Sequence, residues 1–330
     1  MALLDVNSLS KRYELRPSVL ARVLSGKRMR RIEAVRDVTF ALNEGEVLGI
    51  VGESGCGKST TCAMIAGLEP PSAGTIRFRG QDIGAFGAKA LRRYRRHVQI
   101  IFQDPFESLN PRLQVFDQVA EGPRALGLWS EAETEQRVLR MLADVGLPPA
   151  AYRNRFPHQM SGGERQRVGI ASALVSEPEL VIADEPLSML DVSIRAGIRD
   201  LLSELAKRRR FSVIYVSHDL SIMKGFVHGL IVMYLGQIVE AGTFSSIVAN
   251  PQHPYTAALL AAVPVPDPLF RRAVPDIVDD VARPLASLAG CRFAPRCRQA
   301  VDICHREPPE LAASGNAAQS VRCHLRHRLQ

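Results

Sequence analysis

The stretch Gly52-Glu-Ser-Gly-Cys-Gly57-Lys58-Ser59 constrains this chain more than any other. It fits G-x-x-x-x-G-K-[ST], follows the apolar run Val47-Leu48-Gly49-Ile50-Val51 and precedes a helix-like segment. That context makes the motif a phosphate-cradling loop, in which glycines let the backbone wrap an anion and the N–H groups of the following helix start point inward. Such a loop needs a buried strand before it and a helix after it, so the fold is already narrowed to an α/β sheet. Gly52, Ser54, Gly55, Cys56, Gly57, Lys58, Ser59 and Thr60 are the candidate phosphate contacts. Lys58 supplies a point charge to the outer phosphates and Ser59 a hydroxyl for Mg²⁺. Cys56 reads as a small filler in the loop and not as a reactive thiol.

Two further runs, Leu180-Val-Ile-Ala183 and Val213-Ile-Tyr-Val216, have the continuous apolar character of strands buried on both faces. Helical patterns separate them, among them residues 131–145 with Val138, Leu139, Leu142 and Val145 in helical spacing. Strands alternating with helices predict a parallel, doubly wound sheet. The run at 180 ends on Asp184-Glu185, which sets two carboxylates at the edge where open α/β sheets bind ligands. Asp184 is the candidate magnesium ligand. Glu185 is the candidate base for an attacking water, a role worth roughly 10²–10⁴-fold in rate. On these residues alone any nucleotide-phosphate enzyme of this loop type remains open, kinases, GTPases and helicases included.

The balance of 46% hydrophobic and 23% charged residues over 330 residues predicts an ordinary globular core. No stretch approaches the ~18 apolar residues needed to cross a bilayer. The opening Met-Ala-Leu-Leu-Asp lacks the features of a secretory signal, which predicts a cytoplasmic chain. Residues 1–15 read as a short strand. Residues 16–31 carry Arg16, Arg22, Lys27, Arg28, Arg30 and Arg31 with no acid, and Val19, Leu20, Val23 and Leu24 form one face of a possible basic amphipathic helix against a membrane or a solvated loop. Net charge is +8, compatible with nucleic acid, anionic lipid or nucleotide phosphate. Prolines crowd residues 251–284, which sets a boundary near 250. Only one set of nucleotide motifs is present.

Ser161-Gly162-Gly163-Glu164, followed by Arg-Gln-Arg-Val-Gly-Ile-Ala, resembles the signature segment of ABC ATPases. Other elements match that family in order. Tyr13 matches the aromatic that stacks on adenine, Gln103 in Phe102-Gln-Asp-Pro105 the Q-loop glutamine, Asp191 in Ser188-Met-Leu-Asp191 the D-loop, and His218 in Val-Ser-His-Asp-Leu the switch histidine. Gln103-Asp-Pro-Phe-Glu-Ser-Leu-Asn-Pro-Arg112, Val232-Met-Tyr-Leu-Gly236, His253-Pro-Tyr-Thr256 and the proline-rich tail resemble the oligopeptide/dipeptide/nickel subfamily of ABC importer ATPases. Met160 and Glu164 stand for the usual leucine and glutamine of the signature, Met189 for a small D-loop residue, and Ser172 where Arg is common. None of these removes a catalytic group, but Glu164 adds negative charge beside the signature's phosphate contact.

The resemblance implies an α/β P-loop NTPase of the ABC type. It would have a RecA-like core, an antiparallel β part, a helical subdomain over about 104–175, and a nucleotide-binding domain over 1–250 with a C-terminal extension over 251–330. It implies a head-to-tail pair with a second ATPase subunit, a paralogue, and ATP held between the P-loop of one and the signature of the other. Ser59, Gln103 and Asp184 would hold Mg²⁺, and Glu185 and His218 would act on the attacking water. Two transmembrane permease subunits would meet the chain near Gln103, with a solute-binding protein acting indirectly. The chain would sit on the cytoplasmic face of the inner membrane, and no nucleic acid is expected. Peptide is the expected cargo, with nickel or another small solute as the alternative. A non-transport ABC ATPase of nucleic-acid repair or translation is the rival of another class.

Cys291, Cys297, Cys304 and Cys323 form a C-x5-C-x6-C set with one distant member. Two disulfides are disfavoured in a cytosolic chain. The tight C-x2–4-C pairs usual for structural zinc are absent, and wide spacing suits a cubane cluster better. The subfamily points the same way, since some of its ATPases resemble this chain in a C-terminal four-cysteine cluster. A [4Fe–4S] cluster is therefore expected, zinc second, free thiols third. Arg292, Arg296, Arg298 and Arg322 would balance the thiolate charge. The tail has few apolar residues for a core, so bound metal would have a structural role, supplying folding energy. The tail's distance in sequence from the nucleotide motifs implies no part in hydrolysis.

Overall fold

The computed structural model describes residues 2–15, 30–263, 289–314 and 319–326. The strands are β1 (Ala2–Leu15), β2 (Arg30–Asn43), β3 (Val47–Val51), β4 (Ala73–Phe78), β5 (Gln81–Asp82), β6 (Val98–Ile101), β7 (Leu180–Asp184), β8 (Ser212–Ser217), β9 (Gly229–Tyr234), β10 (Gln237–Thr243), β11 (Ala312–Ala313) and β12 (Gln319–Val321). The helices used below are α1 (Lys58–Ile65), α2 (Ala88–His97), α3 (Val115–Leu126), α4 (Glu131–Asp144), α5 (Gly162–Leu174), α6 (Val192–Arg209), α7 (Phe244–Ala249) and α8 (Pro254–Ala262).

The central sheet runs β11-β12-β10-β9-β3-β8-β7-β6. Its β9-β3-β8-β7-β6 part is parallel, as the alternation of strands and helices predicts. A second, antiparallel sheet runs β2-β1-β4-β5. Period-2 geometry explains why the central strands read as unbroken apolar runs. Leu48 and Ile50, Leu180 and Ile182, and Ile214 and Val216 face a core shared with the antiparallel sheet, where Leu4, Val6, Val38 and Ile76 meet them. Val47 and Val51, Val181 and Ala183, and Val213 and Tyr215 face a second core shared with the helices.

Helices α3, α4 and α5 pack on one another beyond β6, within the span expected to be helical. α4 starts on a capping box: Ser130 Oγ accepts from the Glu133 N–H at 3.3 Å, and the Glu133 carboxylate accepts from the Ser130 N–H at 3.3 Å. Its buried Thr134, Val138, Met141 and Leu142 make the core stripe.

The described residues after 250 are built onto the same body. β12 pairs antiparallel with β10 at Glu240↔Val321, Ala241↔Ser320 and Gly242↔Gln319. Tyr255 and Phe293 join the core under the helices. Tyr234, at the end of β9, lies 4.7 Å from the Tyr255 ring and 5.2 Å from the Phe293 ring, centroid to centroid. Of the basic segment expected at 16–31, residues 16–29 lie outside the described residues, and Arg30 and Arg31 open β2. Among the described residues no helix is long and apolar enough to cross a membrane.

Candidate nucleotide site

β3 ends in the middle of the sheet, between β8 and β9, and the loop 52–57 turns directly from it into α1. Two glycines make that turn possible. Gly52 has φ +154°, and a Cβ there would lie 2.2 Å from the Met233 carbonyl. Gly57, with φ +102°, would put a Cβ 2.5 Å from the Ala34 carbonyl. Side chains at either position collide with backbone that cannot yield. Gly57 is the N-cap of α1, so the free N–H groups of the first turn open toward the cavity above. Thr61 Oγ1 ties back to the Gly57 carbonyl at 2.9 Å.

The cavity holds about 570 Å³ and has Ser54, Gly55, Gly57, Lys58, Ser59 and Thr60 along one side. Gln103, Glu185 and His218 close it, together with Ala34. Lys58 is almost wholly buried. Its ammonium donates to the Gly52 carbonyl at 2.8 Å and the Glu53 carbonyl at 3.0 Å, and lies 3.8 Å from Glu185 Oε1. Glu185 sits at φ +46°, a left-handed conformation uncommon for a glutamate and the kind of strain that collects at working sites. Its other oxygen is 2.9 Å from His218 Nδ1. A cation, a carboxylate and an imidazole thus face one another across a space large enough for a phosphate chain.

Asp184 lies just beneath. Burial raises its carboxyl above the usual range, against a hydrogen bond from Ser59 that lowers it. Its Oδ1 is buried without a hydrogen-bond partner. A buried carboxylate oxygen left over beside a hydroxyl is a donor set that a hard cation satisfies. Ser59 and Asp184 therefore fit Mg²⁺, and Gln103 lines the same cavity as Ser59.

The remaining predicted residues lie elsewhere. Tyr13 does not line the cavity. It pairs with Ile32 across β1 and β2, and the Lys11 ammonium sits 5.1 Å from its ring centroid. Cys56 is buried behind the loop, as a filler should be. Ser161 is the exposed N-cap of α5, with Gly162, Gly163 and Glu164 in its first turn. Asp191 is the exposed N-cap of α6. Neither helix start lines the cavity over the P-loop.

Chain comparisons extend this geometry. A family profile described as "ABC transporter" matches residues 35–188, and one described as "Oligopeptide/dipeptide transporter, C-terminal region" matches residues 239–304. The oligopeptide transport ATP-binding protein OppF of Salmonella typhimurium is 43% identical over 292 residues, covering 88% of this chain and 87% of that protein. The chain belongs to the ABC transporter family, in its oligopeptide/dipeptide branch. OppF of Haemophilus influenzae is 40% identical over 318 residues, covering 96% of this chain and 95% of its own length. Among solved structures, a dimeric post-hydrolysis state of the ATP-binding cassette MJ0796, bound to ADP and phosphate, aligns with TM-score 0.63. It is 27% identical and covers 73% of this chain and 98% of that one. This ABC chain therefore has the ABC-type P-loop NTPase fold expected of it.

Two expectations about the tail need correction. Cys291 and Cys304 do come together, the Cys291 N–H donating to the Cys304 carbonyl at 2.7 Å. Yet burial pushes the Cys291 thiol up to about 11 and raises Cys323 as well, which favours thiols over thiolates at these two positions. Among the described residues no group of three His, Cys, Asp or Glu side chains is arranged to hold a metal, so a ready-made tetrathiolate site for a [4Fe–4S] cluster or zinc is not formed by Cys291, Cys297, Cys304 and Cys323. Three of the four arginines expected to balance such a site make their hydrogen bonds elsewhere. Arg292 bonds the Leu235 carbonyl and Glu33, Arg322 donates to the Ile238 carbonyl at 2.8 Å, and Arg296 pairs with Glu53 at 2.9 Å. The last of these brings the tail onto the P-loop itself, a contact that its distance in sequence does not announce. No spacing rule joins residues so far apart; the only local sign was the His253-Pro-Tyr-Thr256 motif.

Proposed function

We propose that this chain hydrolyses ATP to energise peptide import through an ABC transporter, using the cavity over the P-loop as one half of a shared nucleotide site. The observation that carries this reading is the convergence of Lys58, Glu185 and His218 on one cavity above a glycine-shaped helix start. The loop N–H groups and Lys58 hold the phosphates. Ser59, Gln103 and Asp184 would hold Mg²⁺, which would supply neutralisation of phosphate charge. Glu185 takes the proton of the attacking water, and His218, hydrogen-bonded to it, keeps the carboxylate aimed. Tyr13, which does not line the cavity itself, would stack on adenine extending beyond it.

Ser161 and Asp191 serve a second ATPase subunit's nucleotide, because neither reaches the cavity of its own chain. Residues 1–250 act as the nucleotide-binding part and 251–330 as an extension, of which β12 joins its sheet. Two permease subunits would meet the chain near Gln103, at the cytoplasmic face of the inner membrane. Peptide is favoured as cargo by the kinship with oligopeptide transport ATP-binding proteins and by the matched C-terminal region. The test is ATPase activity of the reconstituted transporter with its solute-binding protein. Stimulation by di- or oligopeptide is expected, and stimulation by nickel with none by peptide would overturn the cargo.

The four cysteines would carry a [4Fe–4S] cluster only if the tail rearranged to gather their thiols. Metal analysis of anaerobically purified chain tests that: about four irons per chain support it, and neither iron nor zinc ends it.

A further inference from the structure

The loop that holds phosphate is itself held from outside the nucleotide-binding motifs. The Glu53 N–H donates to the Tyr255 hydroxyl at 2.8 Å. Both oxygens of the Glu53 carboxylate accept from Arg296 Nη1, at 3.0 and 2.9 Å. The Arg296 side chain is only 11% exposed, and its guanidinium lies 5.7 Å from the Tyr234 ring centroid and 6.0 Å from that of Phe293. Tyr255 is fully buried against Tyr234 and Phe293. These are rigid supports with little side-chain freedom left, so what they bond is held in place.

Glu53 is the second residue of the P-loop, and its carbonyl accepts from the Lys58 ammonium. The chain of contact thus runs from α8 and the Arg292–Arg296 segment, through Glu53, to the lysine that faces the phosphates. A second tie reaches the far side of the loop. Arg292 bonds the Leu235 carbonyl, and the adjacent Gly236 N–H donates to the Cys56 carbonyl at 2.8 Å. A phosphate loop works by having its N–H groups already aimed inward. Tying the Glu53 peptide outward fixes the orientation of the peptides that follow, and a free Glu53 would let them turn.

We propose that Tyr255 and Arg296 of the C-terminal extension are positioning residues for the nucleotide, acting through Glu53 to hold the P-loop and Lys58 in their phosphate-binding shape. The inference rests on the ATP reading of the cavity. It gives the extension a direct part in nucleotide affinity, and none in the chemical step, since neither side chain lines the cavity.

The experiment compares full-length wild type, Tyr255→Phe, Arg296→Ala, Arg296→Lys and the paired reversal Glu53→Arg with Arg296→Glu, each assembled with its partner subunits. A fluorescent ATP analogue reads affinity, steady-state hydrolysis reads KM and kcat, and thermal melting reads folding. Loss of one such hydrogen bond or ion pair should weaken nucleotide binding about tenfold, raising KM while kcat stays within about twofold. Arg296→Lys and the paired reversal should recover part of the loss. Tyr255→Phe removes a single oxygen and keeps the ring packing, so it tests the proposal even if Arg296→Ala fails to fold. Unchanged KM in Tyr255→Phe, a fall in kcat alone, or a lower melting temperature with unaltered affinity would overturn the brace. Wild type that binds no nucleotide at all would instead overturn the ATP reading beneath it.

Discussion

The P-loop and the helix start at Ser161, both proposed to meet phosphate, are built in opposite ways. At the P-loop the cation is buried, the glycines let the backbone turn tightly into the helix start, and a distant segment bonds the loop from behind. At Ser161 the surface is exposed and already satisfied from within. Its hydroxyl donates to Glu164 Oε2 at 2.8 Å and its N–H donates to the same oxygen at 2.7 Å. Glu164 Oε1 accepts from the Tyr152 hydroxyl at 2.5 Å. That hydroxyl, with the Ser161 N–H, holds the Glu164 carboxyl below the usual range, so it stays ionised. The helix dipole at this end favours an anion, and the protein's own carboxylate occupies the place. One half-site stands open; the other is a capping box that a partner's nucleotide would have to displace.

The comparison can be broken at several points. The largest effect is expected at Glu185→Gln, which keeps the hydrogen-bond shape and removes the base. Turnover in the assembled transporter should fall roughly 10²–10⁴-fold while ATP binding persists. Hydrolysis at near wild-type rate would remove Glu185 from the chemistry. Glu164→Gln should act in the other direction and less strongly. It discharges the self-cap, so ATP-driven association with the partner subunit should tighten about three- to tenfold, read by sedimentation against ATP concentration. Weaker association would mean that the carboxylate assists the signature and does not block it. Tyr152→Phe, which only releases the carboxylate from one donor, should shift the same curve about twofold or less.

The P-loop half was legible because its information is local. Five consecutive apolar residues, the glycine spacing and the lysine that follows sit within one short stretch, and β3 and α1 form where that pattern requires. Asp184-Glu185 was legible for the same reason, at the end of a strand whose neighbours alternate between two cores. What escaped is what depends on side chains meeting across the fold. Arg296 reads as a cation beside cysteines, yet it turns to Glu53, because the aromatic cluster of Tyr234, Tyr255 and Phe293 leaves it only that direction. β12 joins the sheet through an edge that β10 leaves unpaired, a pairing no short-range pattern announces. Glu164 was legible as a departure and as added charge. Its reach to Tyr152 was not, because that contact links α5 to the end of the short helix Pro149–Tyr152, a separate element.

The central claim is that one chain carries two half-sites that cannot serve the same nucleotide, so hydrolysis needs a second ATPase subunit. ATPase rate measured on strictly monomeric chain, and again after addition of the partner subunit and permeases, tests this most directly. The account predicts residual turnover from the monomer and a steep rise on assembly; full turnover from a preparation held monomeric at every dilution would contradict it.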